Sequence, residues 1–277
     1  MNKIKNIFLL LIVGVIVMYS CADDDSGFLN PFLDVNHEAL ALEDNDSIVK
    51  FLKNNYYEET LDSIKTLVSG KTSLFDDSKL ITMDAKRFDI DYKLYIYRIK
   101  EGNPIDPEFG NPSDDKGNPS ISDSIYAKYS GQSILSSSAL STSFDANASG
   151  AWFSYDRLAV RGWSFGFKNF KGGYLKKEDD GSTFNGPITY LDGGKGILFI
   201  PSGLSYSSIN PGNYNSSLVN QNLMFTIELL DFVKFTDHDN DGIPSSDEDA
   251  NNDGDLDNDF SDNSNPNLPD YLNPDIK

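Results

Sequence analysis

Apolar and polar residues follow two different periods along the chain. In "RFDIDYKLYIYRI", residues 87–99, apolar or aromatic side chains recur at every second position (Phe88, Ile90, Tyr92, Leu94 and Ile96), which predicts a β-strand with one buried face. Before this stretch, apolar residues recur at spacings of three and four from Ile48 to Val68, and this period predicts an amphipathic helical pair.

Further elements are predicted downstream of residue 100. A segment rich in Pro, Gly, Asn and Asp, residues 101–123, is typical of a loop. Strands are predicted at "DSIYAKYSG", "GKGILFIP" and "NLMFTIELLDF", and a short helix at "RGWSFGFKNF". Strands, one short helix and then more strands indicate an α+β fold in which an antiparallel sheet wraps around that helix.

The N-terminus has the pattern of an export signal. Lys3 and Lys5 precede a run of 12 apolar residues, 7–18, which is too short for a stable membrane-spanning helix and fits the core of a signal peptide. The only cysteine, Cys21, follows directly, and its position resembles a bacterial lipobox. The resemblance implies acylation of Cys21 and an outer membrane lipoprotein. Whether it faces the periplasm or the cell surface stays open, because the acidic "ADDDS" fits both an export signal and a solvated tether.

Composition and charge narrow the function classes. The chain has 277 residues, of which 39% are hydrophobic, enough to bury a core and exclude disorder over most of its length. A net charge of −20 argues against nucleic acid as a partner but not against divalent cations. The two histidines, His37 and His238, lie in the predicted tether and the acidic tail, so no hydrolytic triad is visible in the central region.

Five short motifs, in order, resemble the FKBP-type peptidyl-prolyl isomerase domain. They are "KYSG" at 128–131, "SFDA" at 143–146, "VRGW" at 160–163, "FIPSGLSY" at 199–206 and "LMFTIELL" at 223–230. The predicted organisation is therefore a signal peptide (1–20), a tether (21–37), a helical extension (38–85), an FKBP-like domain (86–235) and an Asp-rich tail (236–277).

The resemblance implies a shallow aromatic pocket that receives the proline ring of a polypeptide substrate. Trp163 forms its floor, and Tyr129, Phe144 and Phe225 form its walls. Val160 offers its backbone N–H to the bound peptide, Tyr206 offers a hydroxyl, and Asp145 lies at the rim. The implied activity is isomerisation of X–Pro bonds in exported or surface proteins, without a cofactor.

Three departures from the family pattern leave alternatives open. Either Trp152 or Phe153 could supply the remaining wall of the pocket. Ser207 stands where the family usually has glycine. Residues 172–196 contain an insertion of about 20 residues after the short helix. The fold tolerates such an insertion, because lengthening a loop costs little closure entropy, whereas access of the substrate to the pocket is a separate question that the sequence leaves open. An inactive FKBP-like module and a non-catalytic proline-binding or chaperone lipoprotein therefore remain as alternatives.

The acidic tail matches the D-x-D-x-D-G-x5-E calcium loop, with Asp237, Asp239, Asp241, the backbone carbonyl of Ile243 and Glu248 as candidate ligands. A second loop begins at Asp249, with Asn251, Asp253 and Gly254 in equivalent places, but Phe260 occupies the position of the bidentate glutamate. The two together resemble thrombospondin type 3 repeats. The alternatives are a solvated, disordered tail and a calcium-dependent adhesion protein.

Overall fold

The computed structural model describes residues 30–276. The predicted signal peptide and Cys21 lie outside the described residues. Residues 31–34 form a turn, and residues 35–276 belong to one separate unit. Within the described range, no helix combines the length and the apolar character that a bilayer crossing requires.

A seven-stranded antiparallel sheet is the centre of this unit. Its strands are β3 (Leu80–Arg87), β4 (Ile90–Lys100), β5 (Ser124–Ser136), β6 (Ala139–Leu140), β7 (Asp145–Phe153), β10 (Gly194–Ile200) and β11 (Leu223–Val233). The strand order is β3-β4-β10-β11-β5-β6, and β7 also pairs with β5. One short helix packs against a face of this sheet, so the structure has the α+β architecture that the sequence predicts.

The helix α1 (His37–Asn54) covers one face of the sheet. Asn36 caps it, because its side-chain oxygen accepts the N–H of Ala39 at 3.0 Å. Its apolar stripe consists of Ile48, Phe51 and Leu52, which are fully or almost fully buried. The stripe packs against side chains of β4, β10 and β11: Tyr95, Tyr97, Ile197, Phe199 and Met224. The N-terminal extension thus supplies a second core beneath the sheet.

The short helix α2 (Gly162–Phe167) packs on the opposite face. Two glycines permit its close approach to β10: a Cβ added at Gly162 would meet Ile200 Cγ2 at 2.5 Å, and one at Gly166 would meet Leu198 Cδ1 at 2.7 Å. β10 is therefore buried on both faces, which explains its unbroken apolar run "ILFI".

The prediction of a helical pair is wrong in its second half. Residues after α1 form a hairpin of β1 (Asn55–Glu58) and β2 (Ser63–Thr66). A short 3-10 turn ends at Asp62, whose φ of +48° reverses the chain. Tyr57 packs on Tyr97 of the sheet with 5.4 Å between ring centroids, so tertiary packing overrides the helical spacing.

Two smaller differences concern the strand at 87–99 and the insertion. Phe88 does not share the buried face of the predicted strand, because Phe88 and Asp89, with φ of +54° and +60°, form the turn between β3 and β4. The insertion contains the short hairpin of β8 (Tyr174–Leu175) and β9 (Tyr190–Leu191).

The acidic tail is folded onto the domain. Its two Asp-rich loops are followed by 3-10 turns at Ser245–Asp247, Leu256–Asn258 and Asp270–Leu272. Leu256 is fully buried and Tyr271 is 2% exposed, and both belong to the same core as α2. A wholly solvated tail does not fit this packing.

Candidate functional site

A cavity of about 160 Å³ opens between α2, β5 and β7. All seven residues that the family resemblance implies line it: Tyr129, Phe144, Asp145, Val160, Trp163, Tyr206 and Phe225. They come from five separate stretches of the chain. Of the described residues that line the cavity, none belongs to the insertion at 172–196. The inserted hairpin therefore does not fill the pocket.

Trp163 is the centre of the aromatic cluster. It is 3% exposed, and the rings of Tyr129, Phe153 and Phe225 pack edge-on against it with centroid separations of 5.0, 5.0 and 5.1 Å. Phe144 packs edge-on against Phe225 at 5.7 Å. Edge-to-face packing of this kind fixes each ring by its neighbours, so the pocket has a rigid apolar surface.

Secondary structure sets these positions. Trp163 lies in the first turn of α2, Tyr129 on β5 and Phe225 on β11, with Phe225 directly opposite Gly131 of β5. A Cβ at Gly131 would meet Phe225 Cε1 at 2.5 Å and Phe144 Cζ at 2.7 Å. Gly131, the last residue of the "KYSG" motif, therefore leaves the space that these two rings occupy.

A few polar groups surround the apolar surface. The Val160 N–H and the Tyr206 hydroxyl have no hydrogen-bond partner within residues 30–276, so both are available to a ligand. The indole Nε1 of Trp163 is buried and, in the same range, also unpartnered. At the rim, the Tyr129 hydroxyl donates to Asp145 Oδ2 at 2.8 Å. Burial, and then this bond to a carboxylate, raise the pKa of Tyr129 to about 12.

The sequence left the contribution of β7 ambiguous, and the structure assigns it to Phe153. Phe153 lines the pocket, whereas Trp152 faces the other way, is 51% exposed and stacks on Tyr126. Sequence reasoning also missed Arg157, Leu158 and Ala159, which complete the lining. Their position just before the "VRGW" motif is the only sequence signal that could have indicated them.

Ser207 is accommodated without disturbing the pocket. It is 1% exposed, and its hydroxyl accepts the N–H of Ile209 at 3.2 Å. Its own carbonyl accepts Asn213 Nδ2 at 2.8 Å, which holds the following loop in place. These two hydrogen bonds therefore hold the loop after Tyr206 in place, at the position where the resemblance to the FKBP family predicts a glycine.

The first Asp-rich loop forms a compact group of carboxylates. One oxygen each from Asp237, Asp239 and Asp241 lie within 4.8 Å of one another. Asp237 accepts the N–H groups of Asn240 at 2.8 Å and Gly242 at 3.0 Å, and Gly242 has a φ of +97°. Ile243 follows, with its N–H donated to Asp241 Oδ1 at 2.7 Å.

Glu248 completes this group from the end of the loop. It is only 7% exposed, and its two carboxylate oxygens have no hydrogen-bond partner within the described residues. Burial first, and then the nearby charges of Asp239 and Asp241, raise the pKa of Glu248 to about 8. Buried carboxylate oxygens that lack partners, at the end of a loop with three converging aspartates, fit a hard cation such as Ca²⁺.

Comparison with known proteins adds a fold likeness. No family model matches the chain, and no curated protein matches it either. Several solved structures do. A peptidyl-prolyl cis-trans isomerase from Pseudomonas syringae pv. tomato is 14% identical, with a TM-score of 0.37, and the match covers 72% of this chain and 98% of that one.

Two further matches are similar in extent. FkpA from Escherichia coli is 18% identical, with a TM-score of 0.36 and 81% of each chain covered. The N-terminal domain of FKBP42 from Arabidopsis thaliana is 14% identical, with a TM-score of 0.33, covering 51% of this chain and 87% of that one. The TM-score is low in all three matches. The function is therefore inferred from the pocket and not from these structures.

Proposed function

We propose that this protein is a peptidyl-prolyl cis-trans isomerase that binds the proline of a polypeptide substrate in the aromatic pocket around Trp163. The observation that carries this proposal is the convergence of six aromatic residues from separate parts of the chain on one cavity, beside a backbone N–H that has no hydrogen-bond partner within residues 30–276. An apolar cavity of about 150 Å³ can hold benzene, so about 160 Å³ is enough for a five-membered proline ring.

This pocket can accelerate rotation without a nucleophile. Amide resonance opposes rotation with a barrier of about 18 to 20 kcal/mol, and uncatalysed X–Pro exchange takes roughly tens to hundreds of seconds. In the twisted transition state resonance is lost and the carbonyl becomes less polar. A pocket that excludes water therefore favours the twisted form over the planar one, because the twisted form forfeits less solvation.

The polar groups at the pocket suit this task. The Val160 N–H can hold a substrate carbonyl, and the Tyr206 hydroxyl can donate a second hydrogen bond. Both fix the peptide so that the proline ring stays on the Trp163 floor while the bond preceding it rotates. Orientation of this kind lowers the barrier further, since the bound geometry is already close to the reactive one.

A protease-coupled assay on a proline-containing peptide tests the proposal. The wild-type protein should accelerate cis-to-trans exchange, and Trp163→Ala should lower kcat/KM at least about tenfold, equivalent to about 1.4 kcal/mol of transition-state stabilisation. Trp152→Ala is the matched control, because Trp152 is the only other tryptophan and does not line the pocket. Tyr206→Phe, which removes only a hydroxyl, should lower kcat/KM several-fold with little effect on folding.

The same assay separates the alternatives. No acceleration by the wild-type protein would remove the catalytic claim. If the peptide nevertheless binds, the protein is a proline-binding or chaperone module. Equal rates for Trp163→Ala and Trp152→Ala would show that catalysis, if present, does not use this pocket.

We further propose that the first Asp-rich loop binds calcium through Asp237, Asp239, Asp241, the Ile243 carbonyl and Glu248. The carboxylate of Glu248, which is buried and has no hydrogen-bond partner among residues 30–276, supports this assignment, because such a group is costly unless a cation offsets its charge. The tail would then depend on calcium for its packed form, since it carries 13 acidic residues and one lysine from Asp237 onward.

Thermal unfolding tests the calcium proposal. In excess calcium the melting temperature should rise by several degrees relative to EDTA, as expected for a ligand that binds only the folded state. Glu248→Gln should reduce this rise. Equal melting temperatures of the wild-type protein in calcium and in EDTA would contradict calcium binding.

The location is also a proposal, and it comes from the sequence. Acylation at Cys21 would anchor the protein to the outer membrane and direct its activity to exported polypeptides. Cys21→Ser should release the protein from the membrane fraction, and unchanged fractionation would argue against the anchor.

A further inference from the structure

One wall of the proline pocket is a segment that pairs with no strand among the described residues. Residues 157–160 line the cavity, between the 3-10 turn that ends at Arg157 and the start of α2. Within residues 30–276, the backbone N–H groups of Ala159 and Val160 have no hydrogen-bond partner. Because no ladder of backbone hydrogen bonds fixes this wall, its position depends on side-chain contacts at its two ends.

Arg161, directly after Val160, makes the contacts at the C-terminal end. Its Nε donates to Asp257 Oδ2 at 2.9 Å, and its Nη2 donates to Asp257 Oδ1 at 2.8 Å. Its Nη1 donates to the Tyr155 carbonyl, and its Cζ lies 4.0 Å from the centroid of the Tyr155 ring. A two-point ion pair fixes the plane of the guanidinium as well as its position. Arg161 therefore ties together the two residues between which the wall lies.

The acidic tail supplies the remaining contacts of this group. The Tyr271 hydroxyl donates to Asp257 Oδ1 at 3.2 Å, and the Tyr271 ring packs edge-on against Tyr155 with 5.5 Å between centroids. Leu256, the residue before Asp257, is fully buried in the same core as Tyr155. Asp257 is therefore held in place from the tail side before it meets Arg161.

The burial of Arg161 makes Asp257 necessary. Arg161 is 7% exposed, and Asp257 is the only carboxylate that accepts its hydrogen bonds within residues 30–276. A second arginine, Arg87, is 8% exposed nearby, and burial first, and then the charge of Arg161, lower the pKa of Arg87. A buried guanidinium that loses its carboxylate is an uncompensated charge. Loss of Asp257 should therefore move Arg161 toward solvent and displace Val160 with it.

We propose that Arg161 and its tail partner Asp257 are positioning residues of the proline pocket. Their ion pair fixes residues 157–160, so that the Val160 N–H stays in place for the substrate carbonyl. Neither residue lines the cavity, so both act through the segment that does. This inference rests on the proposed function of the pocket, and it makes the acidic tail part of the isomerase.

Steady-state kinetics of the full-length protein, in constant excess calcium, test the positioning. Asp257→Asn should raise KM for a proline-containing peptide about fivefold and change kcat less than about twofold, because it weakens a contact made in both the ground and the transition state. Asp275→Asn is the matched control, since Asp275 is exposed on the same tail and the charge change is the same. Its KM should equal that of the wild type.

Arg161→Lys gives a second, independent variant. It keeps the positive charge but loses the two-point geometry, so it should raise KM in the same way. The double variant should be no worse than Asp257→Asn alone, because both substitutions remove one ion pair. An unchanged KM in both single variants would overturn the inference. So would a lower kcat with an unchanged KM, which follows from a smaller folded fraction and indicates a structural role only.

Backbone order parameters, measured by NMR on the free protein, test the same contact without a substrate. In Asp257→Asn they should fall at residues 158–160, from about 0.85 to below about 0.6, and stay unchanged in α2, which packs on β10 through Gly162 and Gly166. Unchanged order parameters at residues 158–160 would overturn the inference. A wild-type protein that neither binds nor isomerises the peptide would instead defeat the proposed function, and the order parameters would still decide whether the ion pair fixes the segment.

Discussion

At the scale of single residues, the pocket depends on the absence of a side chain at one position as much as on its rings. Gly131 faces Phe225 across the β5–β11 pair, and Phe144 also lies over it. An added methyl group cannot fit at 2.5 to 2.7 Å from two ring atoms, so the two rings that line the cavity must shift.

We predict that Gly131→Ala lowers peptide affinity and kcat/KM by roughly tenfold, because small displacements of binding groups are costly to catalysis. Gly212→Ala is the control, since its nearest neighbour beyond the adjacent residues is the side chain of Asn210 at 3.2 Å in an exposed turn. Wild-type kinetics in Gly131→Ala, with the fold intact by circular dichroism, would contradict the assigned position of the rings.

Residue identity in the pocket was largely predictable, but the register of β7 was not. The pairing of β7 with β5 shifts between Ala127 and Tyr129, and Gly150 has a φ of +88°. This irregularity changes which of two adjacent aromatic residues faces the cavity. A strict two-residue alternation read from the sequence cannot locate such a shift, so Trp152 and Phe153 stayed equivalent until the structure separated them.

At the scale of elements, the sequence predicted the helix now called α1 but not the face of the sheet that it covers. The apolar run of β10 indicates burial on both faces, but the sequence does not say which segment covers the second face. The structure places α1 there, with Asp44 buried at its contact with the loop after β10. Asp44 accepts the N–H of Ser202 at 2.9 Å and its hydroxyl at 2.6 Å.

This contact predicts a pH-dependent stability. Burial raises the pKa of Asp44 from 3.8 to about 6, although the bonds from Ser202 oppose the shift. The folded state therefore binds this proton more tightly than the unfolded state, so the contribution is present below about pH 4 and is lost as the pH rises through about 6. The melting temperature of the wild type minus that of Asp44→Asn should fall by on the order of 5 °C over this interval.

Asp46→Asn is the matched control for this measurement, because Asp46 is exposed on the same helix. The change in this difference between pH 4 and pH 6 should be larger for Asp44→Asn than for Asp46→Asn. A constant difference for Asp44→Asn would show that Asp44 keeps the same proton affinity in the folded and unfolded states.

At the scale of the whole molecule, the tail belongs to the folded domain although its charge is typical of a solvated segment. The tail packs on the domain through a few apolar residues, above all Leu256 and Tyr271. These residues are too widely spaced in the sequence to form a recognisable period. Arg161 and Asp257 are 96 residues apart in sequence, so the ion pair that joins the tail to the pocket segment had no sequence signal. The sequence therefore predicted a calcium-binding tail and left a disordered tail as an alternative.

The most direct test of the central claim, that the aromatic cavity receives a proline ring, uses the chain's two tryptophans as reporters. In an NMR titration with a short acetylated Ala-Pro amide, the indole N–H resonance of Trp163 should shift in a saturable manner, while that of Trp152 should not. The corresponding Ala-Gly amide should move neither resonance. A Trp163 resonance unaffected by the proline ligand, or an equal response of both tryptophans to both ligands, would contradict the account.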